Sequence, residues 1–155
     1  MKMIKVNEDQ CMVASWAMAL STTIDTLVEE IGVDGREWVW PEAGTTPAKR
    51  RSHHPLEFYH SCLKRNKIPV YVINRPGLSP GTNYEPIEIV YSVPDYKRAV
   101  LMDNTHAVAY DGTYYYDPAD GIKKDTFDWR IGWALIDLIT LNTMHKDVVI
   151  NEIVQ

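Results

Sequence analysis

The stretch HAVAYDGTYYYDP, residues 106–118, predicts a β-hairpin and points to a sheet in the second half of the chain. Asp111-Gly112 is a dipeptide favoured in two-residue type I′ turns, and segments rich in Val and Tyr flank it. With those two residues as the turn, His106 lies directly opposite Asp117. Directly opposed residues have Cβ atoms about 4.5–5.5 Å apart. The hairpin therefore predicts a carboxylate that holds an imidazole.

Helical patterns precede this hairpin, and strand patterns surround it. The predicted helices are residues 11–21 with Asp9 as N-cap, residues 24–31 stopped by Gly32, and a third starting at Pro55 with His54 just before it. The predicted strands are residues 70–73, 87–91 and 99–102, the hairpin, and residues 129–141, which fit a strand or a helix and are taken as a strand. Residues 41–52 are expected to form an exposed loop. Helices followed by antiparallel strands predict a single α+β domain over residues 1–155.

Composition excludes several classes of function. The chain has 155 residues, of which 45% are hydrophobic and 24% charged, values typical of a globular domain. A net charge of −5 argues against a general nucleic-acid binder, and the basic run at residues 49–51 is interpreted as a solvated loop. The first ten residues contain no long apolar stretch, and the apolar run at 133–141 is shorter than the roughly 20 residues of a membrane span. We expect a cytoplasmic protein with no nucleic-acid or membrane partner.

Cys11 stands at the head of the apolar helical run CMVASWAMAL. A helix N-terminus and a nearby imidazolium bring a thiol pKa to about 3.5–7.5, which creates a reactive thiolate. With His106 as base and Asp117 as orienting acid, the pattern predicts cysteine-dependent acyl transfer. Gln10 and the backbone N–H of Cys11 are candidate oxyanion donors. The alternative interpretation of Cys11 is a small buried hydrophobe.

Other interpretations of these polar residues remain open. Asp117 before a proline is also a common turn opener, and Asp120 or Asn104 would then take its role. His106 is alternatively a structural residue at a strand end. The histidines and cysteines show no zinc-ligand spacing, so a zinc site is not expected. An aromatic group fits either the lining of a substrate cleft or core packing; its residues are Trp38, Trp40 and Pro41. The other cysteine, Cys62, is expected to be a free thiol of a reducing compartment.

A nucleophilic Cys at the start of the first long helix, followed by His and Asp on strands, resembles the papain-like cysteine peptidases. The chain is most similar to their small bacterial branch, which includes the double-glycine leader peptidases of bacteriocin exporters. The matching pieces are Cys11-x-x-Ala-x-x-Ala-Met, His106-Ala-Val and Asp117-Pro with Gly121. Residues 31–35, IGVDG, are also similar to a stretch in short papain-fold proteins of tailed phages.

The resemblance implies a thiol protease with Cys11 as nucleophile, His106 as general base and acid, and Asp117 as orienting group. Its substrate would be a protein or peptide, and it would need no cofactor. One family position differs, because the usual oxyanion Gln six residues before the nucleophile is Lys5 here. We therefore expect a cysteine hydrolase, with two alternatives: an amide or acyl transferase using the same three residues, and an inactive papain-fold binding module.

Overall fold

The computed structural model describes residues 1–7, 10–33, 38–39, 49–50, 53–73, 98–103 and 105–137. The helices are α1 Cys11–Ala19, α2 Ile24–Ile31 and α3 Tyr59–Lys64, the last preceded by a 3-10 turn at Pro55–Phe58. The strands are β1 Trp38–Val39, β2 Lys49–Arg50, β3 Lys67–Ile73, β4 Ala99–Met102, β5 Ala107–Tyr110, β6 Tyr115–Asp117, β7 Ile122–Lys124 and β8 Ile131–Asp137. The predicted α+β class is confirmed.

Six of the strands form one antiparallel sheet with the order β3-β8-β4-β5-β6-β7. β8 pairs with β3 over its full length and with β4 over residues 131–134, which confirms the strand interpretation of this part of residues 129–141. β1 and β2 pair separately, so Lys49 and Arg50 belong to a short strand and not to the predicted loop. The predicted strand at 87–91 lies outside the described residues.

The helix ends follow local capping chemistry. Thr23 Oγ1 accepts the Thr26 N–H at 3.1 Å, and Gly32 ends α2 in the left-handed region with φ 77°. The N-cap of α1 is Gln10 and not the predicted Asp9, which lies outside the described residues. The Gln10 N–H donates to the Asn7 carbonyl at 3.0 Å, and this tight turn starts α1 one residue beyond the predicted cap.

α1 is almost wholly buried against one face of the sheet. Trp16 is fully buried and stacks on Phe58, with ring centres 5.1 Å apart and planes 8° from parallel. Val100 and Leu135 of the sheet complete this cluster. The opposite face has its own core, formed by side chains including Val72, Leu101, Val108 and Trp129. The sheet is therefore covered on both faces, and α1 occupies one of them.

The hairpin turn lies one residue later than predicted. Tyr110 pairs with Tyr115, which leaves Gly112 and Thr113 as the two loop residues. Asp111 Oδ1 accepts the Thr113 N–H at 2.8 Å, and this bond holds Asp111 in front of the loop. Gly112 has φ 100°, and a positive φ at the first loop residue is the type II′ pattern. The predicted type I′ turn, and the register that it implied, are wrong.

An ion-pair cluster joins α2 to α3. Glu30 accepts hydrogen bonds from Arg65 at 2.8 and 3.0 Å and from Ser61 Oγ at 2.8 Å. The Arg65 hydrogen bond is the main reason that the pKa of Glu30 is lowered from 4.5 to about 2. Because the folded-state pKa is depressed, the stabilisation is complete above the ordinary pKa and is lost as the pH falls through the folded value.

Glu30→Gln is therefore expected to lower the free energy of unfolding by about 1 kcal/mol at neutral pH, since solvent screens part of this interaction. The difference from wild type should shrink as the pH falls from 4.5 towards 2, the window between the two pKa values. Urea unfolding at several pH values measures it. Glu29→Gln, at an exposed neighbouring position, is the matched control. A difference that is constant with pH would contradict this assignment.

Candidate active site

His106 is held at the entrance to β5 by Asp103. Asp103 Oδ1 accepts the backbone N–H groups of Thr105 at 2.7 Å and of His106 at 2.8 Å. The Asp103 N–H in turn donates to the His106 carbonyl at 3.1 Å. The β4–β5 turn therefore fixes the backbone that carries the imidazole.

The predicted contact between His106 and Asp117 is present, with Nε2 and Oδ1 2.7 Å apart. It forms in a different register, since continuing the pairing of β5 and β6 places Asp117 opposite Val108. His106 is then a diagonal neighbour, and diagonal neighbours about 7–8 Å apart are within reach of an aromatic ring. Because Nε2 contacts the carboxylate, Nδ1 is the ring nitrogen that remains for proton transfer.

Both oxygens of Asp117 are engaged. Oδ1 also accepts the Ala119 N–H at 2.9 Å, and Oδ2 accepts Lys124 Nζ at 2.6 Å. Burial alone would raise the pKa of Asp117, but hydrogen bonds from Lys124, Ala119 and His106 lower it below its ordinary value. Asp117 is therefore a buried carboxylate that is kept ionised at neutral pH.

Two anchors fix the direction of α1 relative to the sheet. Before the helix, the Val6 N–H donates to the Pro118 carbonyl at 2.8 Å. After it, the Arg98 guanidinium donates to the Ala19 carbonyl at 2.9 Å. Pro118 follows β6, whereas Arg98 precedes β4 at the opposite end of the sheet. The first residue of α1, Cys11, is therefore directed to the end of the sheet at which Asp117 lies.

Cys11 also lies on the side of α1 that faces β5 and β6. It shares a helical stripe with Ser15 and Met18, and Met18 packs on Ala109 of β5. From Met18 back to Cys11 is about 10 Å along a helix, and from Ala109 back to His106 is about 10 Å along a strand. The packing thus places Cys11 and His106 at the same end of the sheet.

His106 and α1 lie on different faces of that sheet. The imidazole makes an edge contact with Phe127, whose ring packs on the face opposite α1, with centres 6.3 Å apart. A contact between Cys11 and the imidazole must therefore pass around the end of β5. Cys11 is the first residue of α1, and His106 directly precedes β5.

The second cysteine is excluded as a nucleophile. Cys62 is fully buried on α3, and burial raises the pKa of its thiol to about 12. Cys11 is 6% exposed, and neither cysteine is in a disulfide.

Iodoacetamide is therefore expected to leave Cys62 unmodified in the folded protein at about pH 8 and to label it after denaturation. Peptide mass mapping with and without urea measures this, and Cys62→Ala gives the background signal. Labelling of Cys62 in the folded protein at a rate typical of an exposed thiol would contradict its burial.

Two residues bear on the predicted oxyanion site. Gln10 directly precedes α1, and its role as an oxyanion donor stays a prediction. Lys5 is exposed, and a Cβ added to Gly121 would lie 3.2 Å from its side-chain carbons. The lysine stem therefore packs over the turn after Asp117.

A cavity of about 570 Å³ lies at the same end of the sheet. The 3-10 turn forms one wall, and the sheet provides most of the rest; the lining includes Leu56, Tyr71, Met102, Asp103 and Trp133. Asp103 is the residue that holds the His106 backbone. The cavity is therefore mainly apolar and adjoins the turn that carries the imidazole.

The remaining candidates lie elsewhere or have structural partners. His53 is buried and contacts the Val33 carbonyl at 2.6 Å, and His54 caps the 3-10 turn. Asp120 pairs with Lys124, whereas Asn104, Trp40 and Pro41 lie outside the described residues. Trp38 lies in β1. Lys124, which sequence reasoning missed, joins the site because β7 pairs with β6.

Within the described ranges, no group of three or more His, Cys, Asp or Glu side chains has the arrangement of a metal site. Over the same part of the chain, no single helix has the length and apolar character to cross a membrane; α1 and α2 meet that test only together, across a 103° bend. Comparisons with family models, with curated proteins and with solved structures found no match to this chain.

Proposed function

We propose that this protein is a papain-like cysteine hydrolase that cleaves a peptide or isopeptide bond through a thioester intermediate. The observation that carries the proposal is the 2.7 Å contact of His106 with Asp117, at the end of the sheet to which α1 directs Cys11. A nucleophile, a base and an orienting carboxylate at one place are the parts that acyl transfer requires.

In this mechanism the Cys11 thiolate attacks the substrate carbonyl and forms a tetrahedral oxyanion. His106 gives its proton to the leaving amine as the carbon–nitrogen bond breaks, which leaves a thioester on Cys11. His106 then takes a proton from water, and the attack of the hydroxide on the thioester releases the acid and restores the Cys11 thiolate and the His106 imidazolium. Asp117 holds Nε2 throughout, so that Nδ1 faces the reacting atoms.

The apolar cavity beside Asp103 supports a protein or peptide substrate, because it offers room for a substrate side chain at the end of the sheet where His106 lies. Every step uses side chains and water, so the mechanism requires no cofactor. The two reduced thiols support a cytoplasmic location, where thiols are kept reduced.

A primary amine in place of water would turn the same thioester into an amide, so an amide or acyl transferase is a second form of the proposal. A binding module without turnover is the alternative from another class. The observation that favours it is Lys5, which occupies the position where the resemblance expects an oxyanion glutamine, and which packs over Gly121.

The test is the reaction with p-nitrophenyl acetate, a small activated ester that needs no knowledge of the natural substrate. We expect an acetyl group on Cys11, located by peptide mass mapping, followed by continued release of nitrophenolate as the thioester hydrolyses. Cys11→Ala should abolish both, and Asp117→Asn should slow both.

Adding a primary amine separates transfer from hydrolysis, because transfer yields the acetylated amine. Acetylation that stops after one equivalent would favour the binding module, and no acetylation of Cys11 would overturn the proposal.

A further inference from the structure

Lys124 stands between two carboxylates next to the candidate site. Its Nζ lies 2.6 Å from Asp117 Oδ2 and 2.7 Å from Asp120 Oδ2. The Lys124 side chain is 34% exposed and Asp117 only 8%, so the ammonium closes the outer side of a buried carboxylate. The pKa of Lys124 is raised by its hydrogen bonds to Asp117 and Asp120, which keeps the ammonium charged.

We propose that Lys124 is a positioning residue, which fixes Asp117 Oδ2 so that Oδ1 stays against Nε2 of His106. The inference rests on the proposed function, since it concerns the same three residues. Asp117 Oδ1 accepts the Ala119 N–H in addition to its contact with His106, whereas Asp117 Oδ2 accepts a hydrogen bond from Lys124 Nζ. Without the ammonium the carboxylate could rotate about its Cβ–Cγ bond, and the aim of Nδ1 would no longer be set.

The Asp120 carboxylate explains why a lysine can lie beside Asp117 without a net repulsion of the His106 imidazolium. Within the described ranges, the ion pairs of Asp117 and Lys124 join His106 before β5, Lys124 on β7 and Asp120 in the intervening turn. The Asp120 carboxylate offsets the Lys124 charge, so the negative charge of Asp117 remains for His106. The four groups together are electrically neutral when the imidazole carries its proton, which is the state that accompanies a Cys11 thiolate.

The experiment compares the iodoacetamide labelling rate of Cys11 in wild type, Lys124→Met and Lys124→Arg across the pH range. Lys124→Met should label roughly fivefold more slowly than wild type at about pH 6, and Lys124→Arg should restore most of the rate. The difference in labelling rate between Lys124→Met and wild type should grow as the pH falls, because Asp117 without Lys124 takes up a proton at a higher pH than it does in wild type. Lys123→Met is the matched control, because this substitution removes the same charge from the same strand. Lys123 Nζ lies over the Tyr114 ring, 4.6 Å from its centre.

Labelling of Cys62 reports unfolding in each variant, because that thiol is fully buried in the native protein. If Lys124→Met labels Cys62, then Lys124→Gln replaces it, because it removes the same ammonium but keeps a polar side chain at this 34% exposed position. A folded Lys124→Met, or in its place a folded Lys124→Gln, that labels like wild type would overturn the inference and leave the proposed function standing. Wild-type labelling that is slow at low pH would instead overturn the proposed function itself.

Discussion

His106→Ala is expected to slow the alkylation of Cys11 by iodoacetamide about 100-fold at about pH 6. A thiolate paired with an imidazolium at a helix N-terminus persists to about pH 5–6, whereas an ordinary thiol has few anions below a pKa near 8.5. Removing the imidazole removes the cation and returns Cys11 towards ordinary behaviour. The rate of labelling as a function of pH, followed by mass spectrometry, measures the change.

His53→Ala is an instructive comparison, because it removes an imidazole whose Nε2 contacts the Val33 carbonyl and not Asp117. Cys11 in that variant should keep its low-pH reactivity provided that Cys62 stays protected, which shows that the protein remains folded. If His106→Ala and wild type gave the same profile with a midpoint near 8.5, no ion pair would exist and the enzyme hypothesis would lose its main support.

Trp16→Ala is expected to lower the free energy of unfolding by about 3–5 kcal/mol, a large part of the stability of a domain of this size. The indole is fully buried and stacks on Phe58, so its removal leaves a cavity between α1 and the 3-10 turn. Since α1 also carries Cys11, the variant should lose low-pH labelling as well. Urea unfolding at neutral pH measures the stability change.

Trp16→Phe separates ring packing from the indole N–H. Trp16 Nε1 is buried and has no hydrogen-bond partner among the described residues, so its removal sacrifices no hydrogen bond. We expect this variant to lose roughly 1–2 kcal/mol, mostly from the smaller ring volume. A Trp16→Ala variant as stable as wild type would show that α1 is not anchored by this stack.

The parts of the fold that local chemistry decides could be predicted from the sequence. α2 has a threonine cap, an amphipathic period and Gly32, all within ten residues of one another. β7 was not predicted, because Ile122–Lys124 is short and has no apolar alternation; it exists through its pairing with β6. The place of β8 between β3 and β4 depends on pairing between distant segments, which no local pattern encodes.

In the candidate site, too, some features could be predicted from the sequence and others could not. The contact of His106 with Asp117 was predicted from one hairpin, and it survives the shifted turn because diagonal as well as directly opposed side chains can meet. Lys124 was missed because its strand was missed, although a lysine two residues after the partner of Asp117 was a usable signal. The approach of Cys11 depends on how α1 packs on β5, which only the three-dimensional structure supplies.

The ion pair between Cys11 and His106 is tested most directly by the ultraviolet absorbance of the Cys11 thiolate as a function of pH, measured in wild type and in His106→Ala, with Cys11→Ala subtracted. Cys62 contributes little because its pKa is about 12. We expect the thiolate to be present at about pH 6 in wild type and absent at that pH in His106→Ala. A thiolate that forms only near pH 8.5 or above in both proteins would contradict the Cys11–His106 pair and the catalytic function built on it.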